Sequence, residues 1–309
     1  MKKFKVFIDG QSGTTGLQVT QRLQTHEDIQ LLSIDSADRK NPVAKKKLIH
    51  ESDLTILCLP DHAIKESVQI ALEAGTRIID AGSLNRVRNG WAYGLPEITP
   101  IQRKVIKNSR LVANPGCYAT GAILILKPLI SKGFLKASSS ISIFGVSGYS
   151  GGGKPMVEHY NETASPPAFS LYGLPLNHKH IPEIQKWSEL KTRPIFIPSV
   201  VNCDQGMEVI ITLDSTQLTL SPPDLKALLT SYYKREDLIR VIDDLGSSSF
   251  LHIEGLKNSC YCEISFSEQD GQYLIVARLD NLGKGASGAA VQNLNIMLDL
   301  PEHTSIHLP

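Results

Sequence analysis

Cys117, in the stretch NPGCYATGAILILKPLISKGF, has the setting in this sequence that best suits a nucleophile. The apolar residues after it have helical spacing as far as Gly133, which predicts that Cys117 lies in the first turn of a helix, after Pro115 and Gly116. The positive end of a helix dipole lowers the pKa of a thiol and can stabilise an oxyanion. The alternative is a small, inert core residue, because free cysteine is often buried.

The other four cysteines are interpreted as structural residues. Cys58 lies within one apolar run and Cys203 follows another, whereas Cys260 and Cys262 alternate in SCYCEI like residues on one face of a strand. No second pair in the sequence completes a zinc site, so we predict no bound metal. Five cysteines without paired spacing also argue against a disulfide framework and predict a cytoplasmic protein.

A thiolate nucleophile needs a base, and the segment LNHKHIPEIQKW supplies two candidates, His178 and His180. Pro182 suits the first turn of a helix, and Glu183 follows closely enough to orient an imidazole. The spacing does not decide which histidine faces the thiol. The pair could also ligate a metal, but no third ligand is evident nearby in the sequence.

The elements that must position these residues follow two patterns. In the first third, short apolar runs such as KFKVFI, LTILCL and TRIID alternate with segments of helical period, which predicts a βαβ series and a parallel sheet. From SSSISIFGVSGYSG onward, longer strand-like runs such as GMEVIITL and QYLIVARL dominate. We therefore predict an α/β protein with a Rossmann-type domain and, from near Cys117, an α+β domain with a mixed or antiparallel sheet.

The turn after the first predicted strand, in VFIDGQSGTTGLQVTQRL, is rich in glycine. Glycines there permit a tight turn, and free N–H groups at a helix start can bind a pyrophosphate. The GxxGxxG spacing departs from GxGxxG, and a turn that serves packing alone is the alternative. The place of the turn in a βαβ series favours a dinucleotide site. The predicted contacts are Gly10, Ser12, Gly13, Thr14, Thr15 and Gly16.

The residues after the second strand discriminate between the nicotinamide dinucleotides. In IDSADRKN, Asp35 could bind a ribose hydroxyl as in NAD sites, whereas Ser36, Arg39 and Lys40 could bind a 2′-phosphate. We predict NADP as the cofactor. A solvated basic turn is the alternative, because lysine and arginine are common in surface loops.

Length and composition exclude several classes of partner. The 309 residues are 41% hydrophobic and carry a formal net charge of +1, which fits one large or two medium globular domains. A basic footprint for nucleic acid is absent. No apolar run approaches the roughly 18 residues of a membrane helix, and MKKFKVFIDG has no signal-peptide core. We expect no nucleic-acid or membrane partner.

Five motifs together resemble the N-acetyl-gamma-glutamyl-phosphate reductase family in its compact bacterial form. They are DGQSGTTGLQV, NPGCYATG, GVSGYSGGGK, HKHIPEI and DNLGKGASGAAVQNLN, and they are distributed along nearly the whole length of the chain. The family is related to the aspartate-semialdehyde dehydrogenases and shares their Rossmann domain, catalytic α+β domain and returning C-terminal helix. The resemblance implies an NADP-binding domain of residues 1–116 with 285–309, and a catalytic and oligomerisation domain of residues 117–284.

The resemblance also implies a chemistry. Cys117 would attack the acyl phosphate of N-acetyl-glutamyl phosphate, expel phosphate and form a thioester, which NADPH would reduce to the semialdehyde of arginine biosynthesis. His180 or His178 would assist proton transfer, a contribution of about 10²- to 10⁴-fold. Gly285 and Asn293 would lie near the nicotinamide, with a helix start packed for structural reasons as the alternative.

The loop FGVSGYSGGGK is expected, on the same resemblance, to surround the phosphate or carboxylate of the substrate. Its lysine is the expected charge partner, and a flexible surface loop is the alternative. By analogy with other strand-rich second domains, we expect a dimer or a tetramer. The predicted substrate contacts are Ser147, Gly148, Tyr149, Lys154 and Glu183.

Three other functions stay open at this point. A sibling reductase would share the thiol and the cofactor but act on another acyl phosphate, free or carrier-linked. An NADP-binding redox sensor would use Cys117 as a regulatory thiol without turnover, although it would need no acid/base histidine. A Cys-His acyltransferase would need no dinucleotide fingerprint.

Overall fold

The computed structural model describes residues 3–39, 41–242 and 250–308. The chain divides into two compact units, one of Met1–Pro115 with Ala286–Pro309 and the other of Gly116–Gly285. Within the described ranges, every helix is too short or too polar to span a bilayer.

The first unit alternates strands and helices. Its N-terminal part contains β1 (Phe4–Asp9), α1 (Thr14–Gln24), β2 (Ile29–Leu32), α2 (Pro42–Glu51), β3 (Leu54–Leu57), α3 (Asp61–Ala74), β4 (Arg77–Asp80), β5 (Ala92–Tyr93), α4 (Gln102–Asn108) and β6 (Leu111–Ala113). The described strands pair in the order β2-β1-β3-β4-β6-β5, and each pairing is parallel. β3 is buried at all four positions, as expected for the interior of a parallel sheet.

Local signals set the helix boundaries in this unit. The side chain of Asn41 accepts a hydrogen bond from the amide of Val43 at 3.0 Å, and this cap begins α2. α3 ends at Gly75, whose φ of 77° lies in the left-handed region that glycine adopts without strain.

The second unit is built on a larger sheet. It contains α5 (Cys117–Ser131), β7 (Ser142–Gly148), α6 (Lys154–Glu162), β8 (Phe169–Leu171), α7 (Ile181–Ser188), β9 (Ile195–Val201), β10 (Met207–Asp214), α8 (Pro222–Tyr232), β11 (Ile239–Ile242), β12 (Cys262–Gln269) and β13 (Gln272–Leu279). The described strands pair in the order β11-β12-β13-β10-β7-β9-β8. β7 with β9 and β11 with β12 are parallel, and the other pairings are antiparallel.

The predicted fold class, a Rossmann-type domain with an α+β domain on a mixed sheet, is therefore confirmed. α5 packs on one face of the larger sheet and is buried from Tyr118 to Leu129. The helix approaches β10 closely, because a Cβ on Gly121 would lie 2.8 Å from the side chain of Val209.

The last helix, α9 (Gly288–Leu298), belongs to the first unit and is buried along its whole length. Two contacts tie it to α1 and the turn after it. The Nε of Arg22 donates to the hydroxyl of Ser287 at 3.0 Å, and the Nε2 of His26 lies 3.1 Å from Oδ1 of Asn295. A helix that follows the second unit in sequence thus completes the first.

Candidate active site

Cys117 is the first residue of α5, the place that the sequence predicts. Gly116 is the N-cap, with an extended backbone conformation (φ −81°, ψ 147°), and the helix has Thr120 bonded back to the Gly116 carbonyl. The thiol is partly exposed. A thiol at this point lies against the positive end of a 15-residue helix, which favours the thiolate.

The backbone at Gly285 packs directly against Cys117. A Cβ added to Gly285 would lie 2.7 Å from the Cβ of Cys117 and 3.1 Å from the carbonyl oxygen of Asp280. The Gly285 amide donates to that same carbonyl at 2.9 Å. Only glycine fits this approach, so the residue predicted to contact nicotinamide has a packing role beside the thiol in this unit.

Both candidate histidines pack against the aromatic ring of Tyr118, the residue next to Cys117. The ring centroids of His178 and His180 lie 6.1 and 5.9 Å from that of Tyr118, and 4.7 Å from each other. His180 is the N-cap of α7 and is buried, whereas His178 is partly exposed. The fold therefore places both candidate histidines against the residue that follows Cys117, and their catalytic roles stay predictions.

One hydrogen bond fixes the tautomer of His178. The backbone amide of His180 donates to Nδ1 of His178 at 3.2 Å. In the neutral ring the proton must then reside on Nε2, because the Nδ1 lone pair is engaged. His178 is consequently a donor through Nε2 and has no nitrogen left with which to accept a proton while this bond persists.

Glu183, predicted to orient an imidazole or contact substrate, reaches the backbone before the nucleophile. Its carboxylate is buried and accepts a hydrogen bond from the amide of Gly116 at 2.8 Å. α7, which begins with the HKHIPEI segment, packs on α5. The histidine segment and the turn that carries the thiol are thus joined directly.

Two tyrosine hydroxyls line the same region, and sequence reasoning did not identify them. Tyr172 donates to the hydroxyl of Tyr118 at 3.3 Å, and Tyr118 donates to the carbonyl of Ser199 at 2.7 Å. Burial raises the pKa of both phenols, and the nearby charge of the Cys117 thiolate raises each pKa further. Both hydroxyls therefore stay protonated donors beside the thiol at neutral pH.

The glycine-rich segment at the end of β7 is hydrogen-bonded and buried at its start and exposed at its end. The amide of Gly148 donates to Gly206 and that of Tyr149 to Cys203, both at 2.9 Å, and the hydroxyl of Ser147 is buried. Tyr149 stacks on Tyr160 with ring centroids 4.8 Å apart.

Lys154, predicted to be the charge partner of the substrate, begins α6 at the exposed end of this loop. Its side chain is 64% exposed and pairs with Glu158 at 3.4 Å. The structure thus places its ammonium group on a solvated helix face and leaves its contact with substrate a prediction.

The glycine turn of the first unit has the geometry that a dinucleotide requires. Gly10 has a φ of 94°, and a Cβ there would lie 2.3 Å from the carbonyl oxygen of Cys58. A Cβ on Gly16 would lie 2.2 Å from the carbonyl oxygen of Gly10, so α1 starts directly against the turn. Gly13 is the N-cap, and among the described residues no side chain caps the helix.

The first-turn amides of α1, including those of Thr14 and Thr15, are the donors that bind a pyrophosphate in such turns. Ser12 is exposed beside them. The residues present therefore fit an NAD(P) phosphate group.

The residues predicted to read the ribose follow β2 at the same sheet edge. Phe7 of β1 pairs with Leu32 of β2, so both strands end beside the glycine turn. Asp35 and Arg39 flank a short 3₁₀ turn and are exposed, as a site for a solvated phosphate requires. Lys40 and the side chain of Ser36 lie outside the described residues.

Asn293, predicted to contact the cofactor, makes hydrogen bonds to the residues that follow β5 and β6. Its Nδ2 donates to the carbonyl of Gly94 at 2.9 Å and to Oδ1 of Asn114 at 3.0 Å. Its Oδ1 is buried and has no hydrogen-bond partner within the described ranges. A buried amide oxygen without a donor costs free energy unless a ligand supplies one, so this atom fits a carboxamide N–H.

A buried network of hydrogen bonds in the second unit was not predicted from the sequence. Asp280 accepts hydrogen bonds from Nε2 of Gln205 at 3.1 Å and from the amide of Asn258 at 2.7 Å. The neighbouring Asn281 accepts from the amide of Gly206 at 2.8 Å. These bonds hold the turn that carries Gly285. Among the described residues, no group of three His, Cys, Asp or Glu side chains could hold a metal ion.

Two family models match this chain. Residues 5–108 match the one described as semialdehyde dehydrogenase, NAD binding domain, and residues 117–281 match semialdehyde dehydrogenase, dimerisation domain. An N-acetyl-gamma-glutamyl-phosphate reductase of Trichormus variabilis is 42% identical over 322 residues, covering 99% of this chain and all of the relative. One from Brucella suis is 44% identical over 308 residues, with 96% and 99% coverage.

Solved structures of similar fold are aspartate semialdehyde dehydrogenases. The enzyme II of Vibrio cholerae superposes with a TM-score of 0.74 at 16% identity, over 96% of this chain and 99% of that chain. The Candida albicans enzyme with NADP superposes with a TM-score of 0.68 at 14% identity, with the same coverage. At these identities the likeness concerns the fold.

Proposed function

This chain belongs to the N-acetyl-gamma-glutamyl-phosphate reductase family of semialdehyde dehydrogenases, and from that premise we propose that it performs the family's reaction through Cys117. It is an NADP-dependent oxidoreductase that converts N-acetyl-L-glutamyl 5-phosphate to N-acetyl-L-glutamate 5-semialdehyde in arginine biosynthesis. The observation that supports the assignment to these residues is that His178 and His180 pack against Tyr118, the residue that follows Cys117 at the start of α5.

The first step forms a bond between Cys117 and the substrate. The thiolate attacks the acyl carbon, the carbon–sulfur bond forms, the carbon–oxygen bond to phosphate breaks and phosphate leaves with the electron pair. Covalent capture matters because a free carboxylate resists hydride, whereas a thioester carbonyl is electrophilic. The N-terminus of α5 favours negative charge at this place.

The second step needs a reductant and a proton carrier. NADPH, when bound, supplies the hydride that reduces the thioester carbonyl. His180 then moves the proton between the hemithioacetal oxygen and the departing sulfur, so that the aldehyde is released and the thiol of Cys117 is restored.

His180 is preferred over His178 because of the tautomer that the structure defines. The Nδ1 of His178 is engaged by the His180 amide, so His178 could accept a proton only by breaking that bond. We propose that His178 instead donates from Nε2 to the substrate. The predicted contacts Ser147, Gly148, Tyr149 and Lys154 are likewise proposed for the substrate side.

NADP would be held by the first unit. The glycine turn and the first-turn amides of α1 suit the pyrophosphate, Arg39 and the neighbouring residues suit the 2′-phosphate, and Oδ1 of Asn293 suits an amide donor. Five free cysteines support the proposal of a cytoplasmic enzyme.

Assembly into a homodimer or a larger homo-oligomer is proposed from the second unit. α5 covers one face of the larger sheet, while apolar side chains of β8, β9 and β13 are exposed on the other, because residues paired across neighbouring strands share a face. The family model that matches this unit describes a dimerisation domain. A second copy of this chain is the proposed cover of that face, and its exposed members are Phe169, Leu171, Ile195, Ile197 and Leu274.

The test of the function is the reverse reaction. NADP should be reduced when N-acetyl-glutamate semialdehyde and phosphate are both supplied, and omission of phosphate should abolish the signal. Aspartate semialdehyde, assayed in parallel, should be a poor substrate. If NADP were reduced with aspartate semialdehyde and phosphate but not with N-acetyl-glutamate semialdehyde and phosphate, the chain would have a sibling activity. No turnover with either aldehyde would contradict the proposed reaction.

A further inference from the structure

Glu183 stands at a position where a glutamate ordinarily closes its own helix. In a capping box, the residue three places after the N-cap reaches back to the N-cap amide. In α7 the N-cap is His180 and Glu183 is three residues later. That amide is already engaged, because it donates to Nδ1 of His178 at 3.2 Å.

The carboxylate of Glu183 spans to another helix instead. It is 1% exposed and accepts the Gly116 amide at 2.8 Å, and Gly116 is the N-cap of α5. A carboxylate placed against the starts of two helices is favoured by both dipoles. The bond therefore fixes the peptide unit that contains the Gly116 amide, one peptide unit before that of Cys117.

The position of that peptide unit has little tolerance. On the other side of the thiol, the Gly285 backbone approaches so closely that an added Cβ would lie 2.7 Å from the Cβ of Cys117. A displacement of Gly116 would therefore move the sulfur of Cys117 relative to the backbone of Gly285. A misplacement of about 1 Å can cost on the order of 10²-fold in rate.

We propose that Glu183 is a positioning residue that sets the placement of the Cys117 thiol through its hydrogen bond from the Gly116 amide. The inference deepens the proposed function, since it assumes that Cys117 is the nucleophile. In the motif HKHIPEI, His178 accepts the amide of the N-cap residue His180. Glu183 can therefore accept the Gly116 amide before the nucleophile instead of bonding to its own helix.

The test compares Glu183→Gln with Glu183→Ala. Both variants remove the charge, and only glutamine keeps an oxygen that can accept the Gly116 amide. We expect Glu183→Gln to retain kcat within about threefold and Glu183→Ala to lose at least about tenfold, with KM within about twofold in each. Equal kcat values in the two variants would overturn the proposal.

A second readout does not depend on the reductase reaction. The rate of Cys117 alkylation by iodoacetamide, followed against pH, reports the thiol pKa. In Glu183→Ala the sulfur loses its placement at the helix start, so the apparent pKa should be higher than in Glu183→Gln. Coincident pH profiles would show that only the charge matters and would contradict the positioning role.

A matched control is available in the hairpin between β12 and β13. There Glu268 accepts the amide of Gly271 at 2.7 Å, the same kind of contact in another place. Glu268→Ala and Glu268→Gln should leave both the alkylation profile and kcat unchanged. A loss in Glu268→Ala equal to that in Glu183→Ala would overturn the proposal, because it would reflect general loosening.

The remaining outcomes separate this proposal from the proposed function. If the wild-type protein fails to reduce NADP but the alkylation profiles of the two Glu183 variants differ, the reaction is wrong and the positioning role holds. If Glu183→Ala does not fold, Glu183→Asp takes its place: it keeps the charge but shortens the reach, so kcat should fall at least about tenfold. A Glu183→Asp variant as active as Glu183→Gln would contradict the proposal.

Discussion

A methyl group at Gly285 should impair the thiol of Cys117 more than it impairs the fold. In Gly285→Ala the new Cβ would start 2.7 Å from the Cβ of Cys117, whereas ordinary carbon contacts begin near 3.4 Å. One of the two backbones must therefore move, by about 0.7 Å to restore an ordinary contact (3.4 Å less 2.7 Å), and overpacking of this kind costs about 1–3 kcal/mol. The Gly285 amide is bonded to Asp280, so the strain falls on the thiol as well as on the turn.

The expected effect on rate is larger than the effect on stability. A shift approaching 1 Å at the nucleophile should lower kcat by about 10- to 100-fold, and iodoacetamide should label Cys117 more slowly. Gly121→Ala is the matched control, because its Cβ would lie one turn further along α5 and would meet the side chain of Val209 at 2.8 Å rather than Cys117. The control should lose thermal stability without slowing the labelling. Wild-type kcat in a folded Gly285→Ala variant would refute the reasoning.

Two further predictions concern the histidines and the cofactor. His180→Asn should lower kcat and flatten the acid side of the pH profile with little change in KM, whereas His178→Asn should mainly raise the KM of the substrate; the reverse pattern in steady-state kinetics would exchange the two roles. Arg39→Ala should raise the KM for NADPH and leave that for NADH unchanged, and equal use of both cofactors by the wild-type enzyme would point to Asp35 as the ribose contact instead.

The start of the helix at Cys117 could be predicted from the sequence because its signals are local. Pro115 and Gly116 lie between the preceding strand and the helix, and the apolar run that follows suits a helix of 15 residues. The same holds for the glycine turn at the end of β1, where a strand, a bend and a helix start occur in one short stretch. Local backbone chemistry is the part of a site that a sequence encodes most directly.

The contacts that place the nucleophile could not be predicted, because they join distant parts of the chain. Nothing around Gly116 indicates that Glu183 will accept its amide, or that Gly285 will pack against Cys117. These partners are far apart in sequence and meet only in the folded chain. The two tyrosine hydroxyls beside the thiol escaped notice for the same reason.

At two positions, the residue type suggested a ligand contact, but the structure shows that the side chain also bonds within the protein. Lys154 has the charge that an anionic substrate would need, yet its ammonium group lies on an exposed helix face beside Glu158. Asn293 was expected at the cofactor, and most of its hydrogen-bonding capacity serves Gly94 and Asn114. A polar side chain in a motif can serve a ligand, the fold or both, and the spacing in sequence does not distinguish these uses.

The central claim is that Cys117 carries the acyl group, and the most direct measurement is made without NADPH. Mixing the enzyme with N-acetyl-glutamyl phosphate should release a burst of about one phosphate per subunit and leave an acyl adduct on the Cys117 peptide, detected by mass spectrometry. The Cys117→Ser variant should show neither burst nor adduct. An enzyme that reduces this substrate with NADPH yet forms no adduct on Cys117, or a Cys117→Ser variant of normal activity, would contradict the account.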